Sequence, residues 1–326
     1  MNLFKVITVL RNTPYLSNLI KPINNYWRNN FERQVVKHPY RRFAHDHKLF
    51  YGCNADLNNP RTLHEKIYWM AYCTDITMWQ RLTDKVTVRE WIIEKGLGKY
   101  LNSEYIIWNN LPSFEDFVKA IPKKCVVKLN NAGGGLGVYI IKDSSTVDLH
   151  NVYNRLSEDF FVNYGIKTGQ PHYMGISPKI LVEKFLENPS DDYHSLPDFK
   201  FICINGEPLY INLVFNRDYG ERKYVRQIFD ASWKRIKIDN KDNTPDFPKP
   251  VSFDEMLFLA KQLSNGFPFV RVDLYEVNDK PVFGEMTFTP GFNAFYGGYG
   301  NKVLKLGELC DISSQKQIHS INPNFF

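Results

Sequence analysis

The strongest constraint on the fold lies near the C-terminus, where residues 269–291 read FVRVDLYEVNDKPVFGEMTFTPG. Apolar and polar residues alternate along two arms of this segment, which is the period of a half-buried β-strand. Asn278, Asp279 and Lys280 separate the arms and favour a turn, so the segment predicts a β-hairpin. Six apolar side chains are expected on its core face: Val270, Val272, Leu274, Val282, Met286 and Phe288.

The other face of this hairpin carries charge. With the turn centred on Asp279, Asp273 lies opposite Glu285, and by the same register Arg271 lies opposite Thr287. Directly opposed side chains are about 5 Å apart at Cβ, so two carboxylates there repel each other. A hard divalent cation between them converts the repulsion into binding, and Mg²⁺ held by few carboxylates usually implies substrate phosphates. The simpler alternative is a hairpin whose acids point into solvent.

The charge of the chain is mildly basic, with a formal net charge of +6 over 326 residues. Much of the excess lies within residues 1–55, which favours acidic substrates or an anionic membrane surface as partners. No RRM, zinc-finger or helix-turn-helix signature is present, so nucleic acid is not an expected partner.

The first 20 residues are apolar, but Lys5, Arg11 and Pro14 interrupt them, so they do not predict a membrane span. No small-residue cleavage site follows, and a signal peptide is not expected. Packing against the domain is favoured over an amphipathic helix lying on a membrane, although both remain open. The five cysteines form no C-x-x-C pair, which is typical of buried thiols in a reducing compartment. We therefore expect a cytoplasmic protein, with association at the inner membrane face through the basic N-terminus as an open alternative.

The pattern along the chain predicts an α+β fold with mostly antiparallel sheets. Four regions are expected: a basic, mostly helical extension over residues 1–55, an α/β subdomain over 56–122, a glycine-rich lobe over 123–190 and a C-terminal lobe over 191–326. Thr62 and Glu65 form a capping box for one helix, and Thr83 is expected to cap the next. Other helices are expected near residues 147–164 and 253–264, and a hairpin turn at Asn205–Gly206.

A glycine-dense loop lies between two predicted strands and contains Gly133, Gly134, Gly135 and Gly137. Backbone N–H groups of such a loop can approach phosphate oxygens because no Cβ intervenes. A strand follows the loop, so it matches neither a Walker A loop nor a dinucleotide-binding fingerprint. A flexible hairpin tip is the alternative. Lys128 lies in the preceding apolar strand and requires an anionic partner, either a phosphate or a carboxylate of the core.

Further charged residues follow in the next strands. Glu183 ends an apolar strand, and the backbone of Lys184, Phe185 and Leu186 could face an adenine edge, with Glu187 near a ribose. Lys200 offers a second cation near the phosphates. Arg217 and Arg226 border the same sheet and could hold an anionic acceptor, although solvation at the surface explains them equally well.

Taken in order, these motifs resemble the ATP-grasp superfamily, and the end of the series resembles the R-x-D…E-x-N-x-x-P-G pattern of D-alanine–D-alanine ligases. The segments LNNPRTLHEKIYW, LTDK with Lys85, PDFKFICINGEP and FPFVRVDLY…FGEMTFTPG resemble the TupA-like ATP-grasp family over residues 48–309. That family is linked to bacterial cell-surface polysaccharides, including teichuronopeptide synthesis. Thr287 stands where ligases usually carry an asparagine that binds Mg²⁺, which leaves the number of bound metal ions open.

The resemblance implies an ATP-grasp fold in which two lobes of antiparallel sheet and helix sandwich ATP. It implies that Lys85, Lys128 and Lys200 hold phosphates under the glycine loop, that Glu183 to Leu186 bind adenine and that Glu187 binds ribose. Mg²⁺ is assigned to Asp273, Glu285 and Thr287, charge stabilisation during phosphoryl transfer to Arg271 with Lys200, and acceptor binding to Arg217, Arg226 and Gly291.

The activity implied by the resemblance is an ADP-forming carboxylate–amine ligase. It would join an amine or amino acid to a uronic acid of a surface polysaccharide, such as a capsule or teichuronopeptide-like polymer, or of its precursor. A glycan kinase and a Mg²⁺-dependent glycosyltransferase remain as alternatives.

Overall fold

The computed structural model describes residues 29–188, 193–218, 223–237, 243–292 and 300–320. Most of the predicted basic extension, including the first 20 residues and their possible membrane contact, lies outside these ranges. Its described part is helical, as predicted, over residues 29–37 and in helix α1, Tyr40–Tyr51, which begins directly after Pro39. Within the described ranges, no helix has the length and hydropathy needed to cross a bilayer.

The regular elements alternate between helical and extended blocks along the chain. The further helices are α2 Leu63–Cys73, α3 Thr77–Thr83, α4 Thr87–Glu94, α5 Phe114–Ala120, α6 Leu149–Phe160, α7 Tyr164–Thr168, α8 Pro171–Met174, α9 Phe253–Ser264 and α10 Gly300–Leu309. The strands are β1 Glu104–Trp108, β2 Cys125–Leu129, β3 Val138–Ile141, β4 Ile180–Lys184, β5 Asp198–Ile204, β6 Glu207–Asp218, β7 Lys223–Asp230, β8 Phe269–Val277 and β9 Lys280–Thr287.

The smaller sheet has the strand order β1-β4-β2-β3, with every pair antiparallel. One face is buried against α5 and α6, where Val127, Ile141 and Val182 pack with Phe117 and Leu156. The other face is only partly covered because it looks toward the larger sheet, and it exposes Ile107 and Ile140. The smaller sheet therefore presents apolar surface to a cleft.

The larger sheet has the order β7-β6-β5-β8-β9, again antiparallel throughout. Its inner face shares one core with α9, whose Met256, Leu259 and Leu263 are fully buried, and with helices α2 to α4. The helical block is held there partly by the Thr62 and Glu65 capping box, which forms as the sequence predicts. Because this core backs one face, the opposite face of the sheet is free to carry polar side chains toward the cleft.

The C-terminal hairpin has the predicted pairing of its two acids, but its turn is shorter than predicted and one strand contains a bulge. Asn278 and Asp279 make a tight two-residue turn with φ of 51° and 59°, which alone would shift every pair by one residue. A bulge at Gly284 adds the missing residue, so Asp273 does pair with Glu285, as predicted. The shift moves part of one arm to the other face: Val282, expected in the core, pairs with Tyr275 on the cleft side.

Two helix predictions are also wrong in detail. Thr83 ends α3 instead of capping α4, and the Asp84 carboxylate accepts the N–H of Val86 at 2.8 Å at this junction. The helix expected near residues 147–164 is α6, which ends earlier, at Phe160, and Asn163 caps the separate helix α7 that begins at Tyr164. The Asn205–Gly206 turn and helix α9 agree with the prediction.

We expect Gly284→Ala to disturb the hairpin without removing any charge. A Cβ on Gly284 would lie 2.9 Å from the carbonyl oxygen of Asp273, so the backbone of β8 or β9 must shift. Such overpacking costs about 1–3 kcal/mol of unfolding free energy, measurable by urea denaturation. Gly175→Ala is the control, because its Cβ would meet the flexible side chain of Gln80 at 3.0 Å. Equal stability of the two variants would contradict a structural role for the bulge.

Candidate active site

Strand register brings four polar side chains into one row across the larger sheet. Lys200 on β5 pairs with Asn212 on β6 and with Asp273 on β8, and Asp273 pairs with Glu285 on β9. Directly paired residues point to the same face of a sheet, so all four face the cleft. Of these, Asn212 is the residue that the sequence reasoning missed.

Arg271 lies two residues before Asp273 on β8, so its side chain is on the same face of the sheet. It binds both carboxylates of the row. Its guanidinium donates to the two oxygens of Asp273 at 2.6 and 2.7 Å and to Oε1 of Glu285 at 3.0 Å. It also contacts the Thr287 hydroxyl at 3.0 Å, which in turn donates to Glu285 at 3.1 Å. Burial disfavours the charged guanidinium, but Asp273 and Glu285 outweigh burial, so the pKa of Arg271 is raised.

Lys200 forms a second cation beside Asp273. Its ammonium lies 2.5 Å from Asp273 and 2.6 Å from Asp198 on the same strand. Burial opposes ionisation of Asp273, yet Arg271 and Lys200 together hold its pKa below the ordinary value. Asp198 shows the opposite balance: burial and the nearby Asp273 raise its pKa even though Lys200 favours its charged form. Asp273 is therefore held in its charged form, whereas its neighbour Asp198 is disfavoured as an anion.

The oxygen atoms of Asp273, Glu285 and Thr287 fit a hard cation. One positive group, the Arg271 guanidinium, already touches all three within 3.0 Å, so these oxygens converge on one region. Within the described residues no cluster of three or more His, Cys, Asp or Glu side chains could hold a metal alone. Two carboxylates suit Mg²⁺ only when phosphates and water complete its six oxygen ligands.

The smaller sheet contributes a buried ion pair that faces this row. Lys128 on β2 lies 2.5 Å from Glu183 on β4, and Arg89 on α4 binds the other oxygen of Glu183 at 3.0 Å. Arg89 also pairs with Glu104 at 2.6 Å, which fixes its orientation. Lys128 therefore has a carboxylate partner, one of the two alternatives that the sequence left open. No sequence motif singled out Arg89.

A cavity lies where the two sheets meet. Its lining combines Lys128, Leu181 and Glu183 of the smaller sheet, Phe283 and Gly284 of β9, and Lys85 and Arg89 of the helical block. Lys85 donates to the carbonyl oxygen of Ala132 beside the glycine loop. Burial lowers the pKa of Lys85, while the charge of Glu285 opposes this shift, which puts Lys85 within electrostatic reach of the larger sheet. Cations of the smaller sheet and of the helical block thus line a cavity whose other wall is β9 of the larger sheet.

The glycine loop connects β2 and β3 at the edge of this cavity. Gly134, Gly135 and Gly137 have φ of 63°, 84° and 65°, a backbone region that favours glycine. A Cβ on Gly137 would lie 2.7 Å from the side chain of Leu129, so glycine is also required there by packing. A Cβ on Gly133 would lie 3.0–3.1 Å from the hydroxyls of Tyr173 and Tyr164, two residues that the sequence reasoning did not single out.

The segment predicted to bind adenine follows β4. The Lys184 backbone donates to Ser103 at 2.9 Å, and its carbonyl accepts from the Asn102 side chain at 2.8 Å, so β1 holds the segment in place. Phe185 packs under the ammonium of Lys124 at 4.9 Å, and Glu187 pairs with the same lysine. Glu183 pairs with Val126, and Leu181 on the same strand pairs with Ile107, but the roles given to Glu183, Lys184 and Phe185 stay predictions.

The predicted acceptor residues are more dispersed. Arg217 lies 3.6 Å from Asp198, and Arg226 pairs across β6 and β7 with Val214, on the face that carries Asp198. Gly291 follows a segment that is tied down from the helical block: Gln170 donates to the Thr289 carbonyl at 3.2 Å. These residues border the row without touching Arg271, so a substrate would have to bridge them.

Two lobes of antiparallel sheet, with lysines and paired carboxylates facing one cleft beneath a glycine loop, define the class of ATP-grasp enzymes, which are ATP-dependent ligases. The family model described as TupA-like ATPgrasp matches residues 65–306, so the chain belongs to the TupA-like ATP-grasp family. The match spans most of the chain and includes every strand of both sheets. No curated protein matches the chain.

Similar solved structures include D-alanine–D-alanine ligase from Helicobacter pylori, at 14% identity and a TM-score of 0.47 over 76% of this chain and 69% of that one. Another is N5-carboxyaminoimidazole synthetase from Staphylococcus aureus complexed with ADP, at 13% identity and 0.43 over 73% and 53%. A RimK domain ATP-grasp protein from Sphaerobacter thermophilus has 13% identity and 0.40 over 71% and 67%.

We expect Arg271→Met to make stability depend on Mg²⁺. The change leaves Asp273 and Glu285 opposed with no guanidinium between them, at a cost on the order of 3 kcal/mol without metal. Thermal denaturation in EDTA and in millimolar MgCl₂ should show a larger rise in Tm on adding Mg²⁺ for the variant than for the wild type. Arg81→Met, which breaks the exposed pair with Glu94, is the control. If Mg²⁺ raised the Tm of Arg271→Met and of Arg81→Met equally, the result would contradict a cation site shared by Asp273 and Glu285.

We expect stability to fall between pH 6.5 and about pH 3 because two buried histidines stay neutral. Burial lowers the pKa of His64 and of His172 to about 3. The unfolded chain binds their protons at about pH 6.5, so acid favours unfolding by up to about 1.4 kcal/mol per pH unit for each histidine. His172→Phe should reduce the slope of unfolding free energy against pH by about that amount. An unchanged slope would contradict a neutral His172.

Proposed function

We propose that this protein is a carboxylate–amine ligase that uses ATP and Mg²⁺ to join an amine or amino acid to a uronic acid of a bacterial surface polysaccharide or its precursor. The observation that carries the proposal is the convergence of Asp273, Glu285 and Thr287 on one cationic group, opposite the lysine-lined cavity. The polysaccharide acceptor is the part of the proposal that the sequence resemblance implies, since the TupA-like family is linked to bacterial cell-surface polysaccharides.

ATP would lie between the two sheets, with its phosphates beside the cavity. Lys85, Lys128 and Lys200 are the cations that would hold phosphate oxygens. Lys128 and Lys200 are now neutralised by Glu183, Asp198 and Asp273, so these ion pairs are the interactions that nucleotide and metal would exchange. The N–H groups of Gly133, Gly134, Gly135 and Gly137 would close over the phosphates.

The base and the ribose would occupy the edge next to β4. Glu183 and the backbone of Lys184, Phe185 and Leu186 would bind adenine, since Ile107 and Val126 offer apolar surface on the same face. Glu187 would reach the ribose after releasing Lys124, a pair that costs little because both side chains are exposed.

Asp273 and Glu285, with Thr287 as a weaker neutral ligand, would hold Mg²⁺. Bound there, Mg²⁺ would neutralise charge on the β- and γ-phosphates and favour an in-line transfer. Arg271 would then turn its guanidinium toward the transferring phosphoryl group, where a preorganised cation stabilises developing charge.

The reaction runs in two steps that balance without a protein nucleophile. A carboxylate of the acceptor attacks the γ-phosphorus, and the bond to the β-phosphate oxygen breaks, giving an acyl phosphate and ADP. The amine nitrogen then attacks the acyl carbon, phosphate leaves, and the amine loses a proton to give an amide. Arg217 and Arg226, with Gly291, would hold the anionic acceptor for this attack.

The place of the reaction would be the cytoplasm, with the basic N-terminal region suited to an acidic or membrane-bound acceptor. An acidic polymer precursor carries many negative charges, so the formal charge of +6 favours its approach. Vesicle sedimentation with anionic lipids, comparing the full chain with a chain lacking residues 1–28, tests this part independently of the chemistry.

The activity is tested by incubating the protein with ATP, Mg²⁺, a panel of uronic-acid oligosaccharides and the common amino acids. Mass spectrometry should find an amide, and coupled assays should find one ADP for each amide formed. A phosphorylated sugar would favour a glycan kinase instead. AMP as the product, or no nucleotide turnover with any acceptor, would overturn the ligase.

We expect Glu285→Gln to abolish turnover while the fold stays intact. An amide keeps the shape of the carboxylate but removes the charge that a divalent cation requires, so the rate should fall by about 100-fold or more. Glu207→Gln, an exposed residue of the same sheet paired with Lys261, is the matched control. Far-UV circular dichroism checks the fold, and undiminished activity of Glu285→Gln would remove the metal assignment.

A further inference from the structure

Two tyrosine hydroxyls meet at the base of the glycine loop. A Cβ on Gly133 would lie 3.0 Å from Oη of Tyr173 and 3.1 Å from Oη of Tyr164, and a Cβ on Gly134 would lie 3.6 Å from Oη of Tyr164. The two rings contact each other edge to face, with centroids 4.8 Å apart at 69°. Both hydroxyls therefore point to the same small region beside the loop.

Neither hydroxyl has a hydrogen-bond partner among the described residues, although Tyr173 is only 6% exposed. Other tyrosines of the chain do find acceptors: Tyr139 donates to Asp159 at 2.6 Å and Tyr153 to Pro112 at 2.7 Å. The hydroxyl oxygens of Tyr164 and Tyr173 are not among the fully buried polar atoms that lack a partner, so both stay accessible although most of the Tyr173 ring is buried. Two accessible, unpaired hydroxyls at one point are placed to donate to a ligand that enters there.

The tyrosines are held rigidly on the α7–α8 segment. Gly165 packs so closely that a Cβ would lie 2.6 Å from the backbone N of Met174, which locks the two short helices together. Tyr72 donates to the Gly169 carbonyl at 2.6 Å, and Gln170 reaches Thr289 after β9. The segment thus connects the helical block, the end of the metal-site hairpin and the base of the glycine loop.

The charges around the hydroxyls are those of the proposed reaction centre. Burial raises the pKa of Tyr164 to about 12, with Glu285 adding to the shift and Arg271 opposing it. Burial also raises the pKa of Tyr173, and Glu285, Tyr164, Arg271 and Asp273 are the groups that face it. Both phenols therefore keep their protons near neutral pH, so each hydroxyl can donate a hydrogen bond to an anion that binds beside the loop.

We propose that Tyr164 and Tyr173 donate hydrogen bonds to the non-bridging oxygens of the terminal phosphoryl group of bound ATP. This inference rests on the proposed function and adds two catalytic residues to it. A phosphoryl group between the glycine loop and Arg271 presents several acceptor oxygens, which suits two neutral donors that converge on one point. ADP lacks this group, so the tyrosines distinguish ATP from ADP.

The test compares Mg²⁺ with β,γ-imido-ATP and Mg²⁺ with ADP by isothermal titration calorimetry on the full chain. Tyr164→Phe and Tyr173→Phe should each weaken the imido-ATP complex about tenfold, the effect of one lost hydrogen bond to a charged group. ADP affinity should change less than about twofold, because no donor to its phosphates is lost. Tyr153→Phe, which loses only the bond to Pro112, should change neither affinity.

The outcomes separate this inference from the proposed function. If the wild type binds imido-ATP and the tyrosine variants bind it equally well, the tyrosine assignment is overturned while the ligase stands. If both variants lose ADP and imido-ATP affinity equally, the tyrosines support the loop without contacting the terminal phosphate, which also overturns it. Failure of the wild type to bind either nucleotide with Mg²⁺ would overturn the proposed function itself.

Discussion

The arrangement of the site depends on two carboxylates that are paired directly across a hairpin. Asp273 and Glu285 repel each other, and the larger sheet tolerates this because Arg271 binds both of them and Lys200 binds Asp273. The cations lie on the same two strands or on the next one, so the fold supplies the compensation locally. In the proposed reaction, Mg²⁺ and phosphate would replace these contacts of Asp273 and Glu285 with Arg271 and Lys200.

The pairing itself depends on backbone geometry. The two-residue turn at Asn278 and Asp279 would set Asp273 against Gly284, and the bulge restores its position opposite Glu285. A bulge next to a functional row re-aims side chains on one strand while leaving the rest of the ladder intact. Glycine suits the bulged position because a Cβ there would crowd the Asp273 carbonyl. The position of Asp273 opposite Glu285 therefore depends on the glycine at position 284.

The period-2 alternation of the hairpin was enough to predict which acids oppose each other, and the ordered motifs were enough to predict the ATP-grasp fold and family. Val282 was assigned to the wrong face because alternation assumes an unbroken register, although Gly284 inside the second arm is the kind of residue that often marks a bulge. Arg89, Asn212, Tyr164 and Tyr173 were missed for a different reason. Each reaches the cleft from an element whose own pattern reads as ordinary helix or strand, so only tertiary contacts reveal it.

Two sets of contacts connect the glycine loop to the helical block and to the C-terminal hairpin. Lys85 joins the helical block to the glycine loop through the Ala132 carbonyl, and its charge lies within reach of Glu285. The α7–α8 segment makes the second connection, from Thr289 to the base of the same loop. Both connections end at the glycine loop, where Gly134, Gly135 and Gly137 adopt positive φ. Mg²⁺ bound as proposed at Asp273 and Glu285 would alter the charge that Lys85 and the two tyrosines experience, and all three residues lie at the base of this loop.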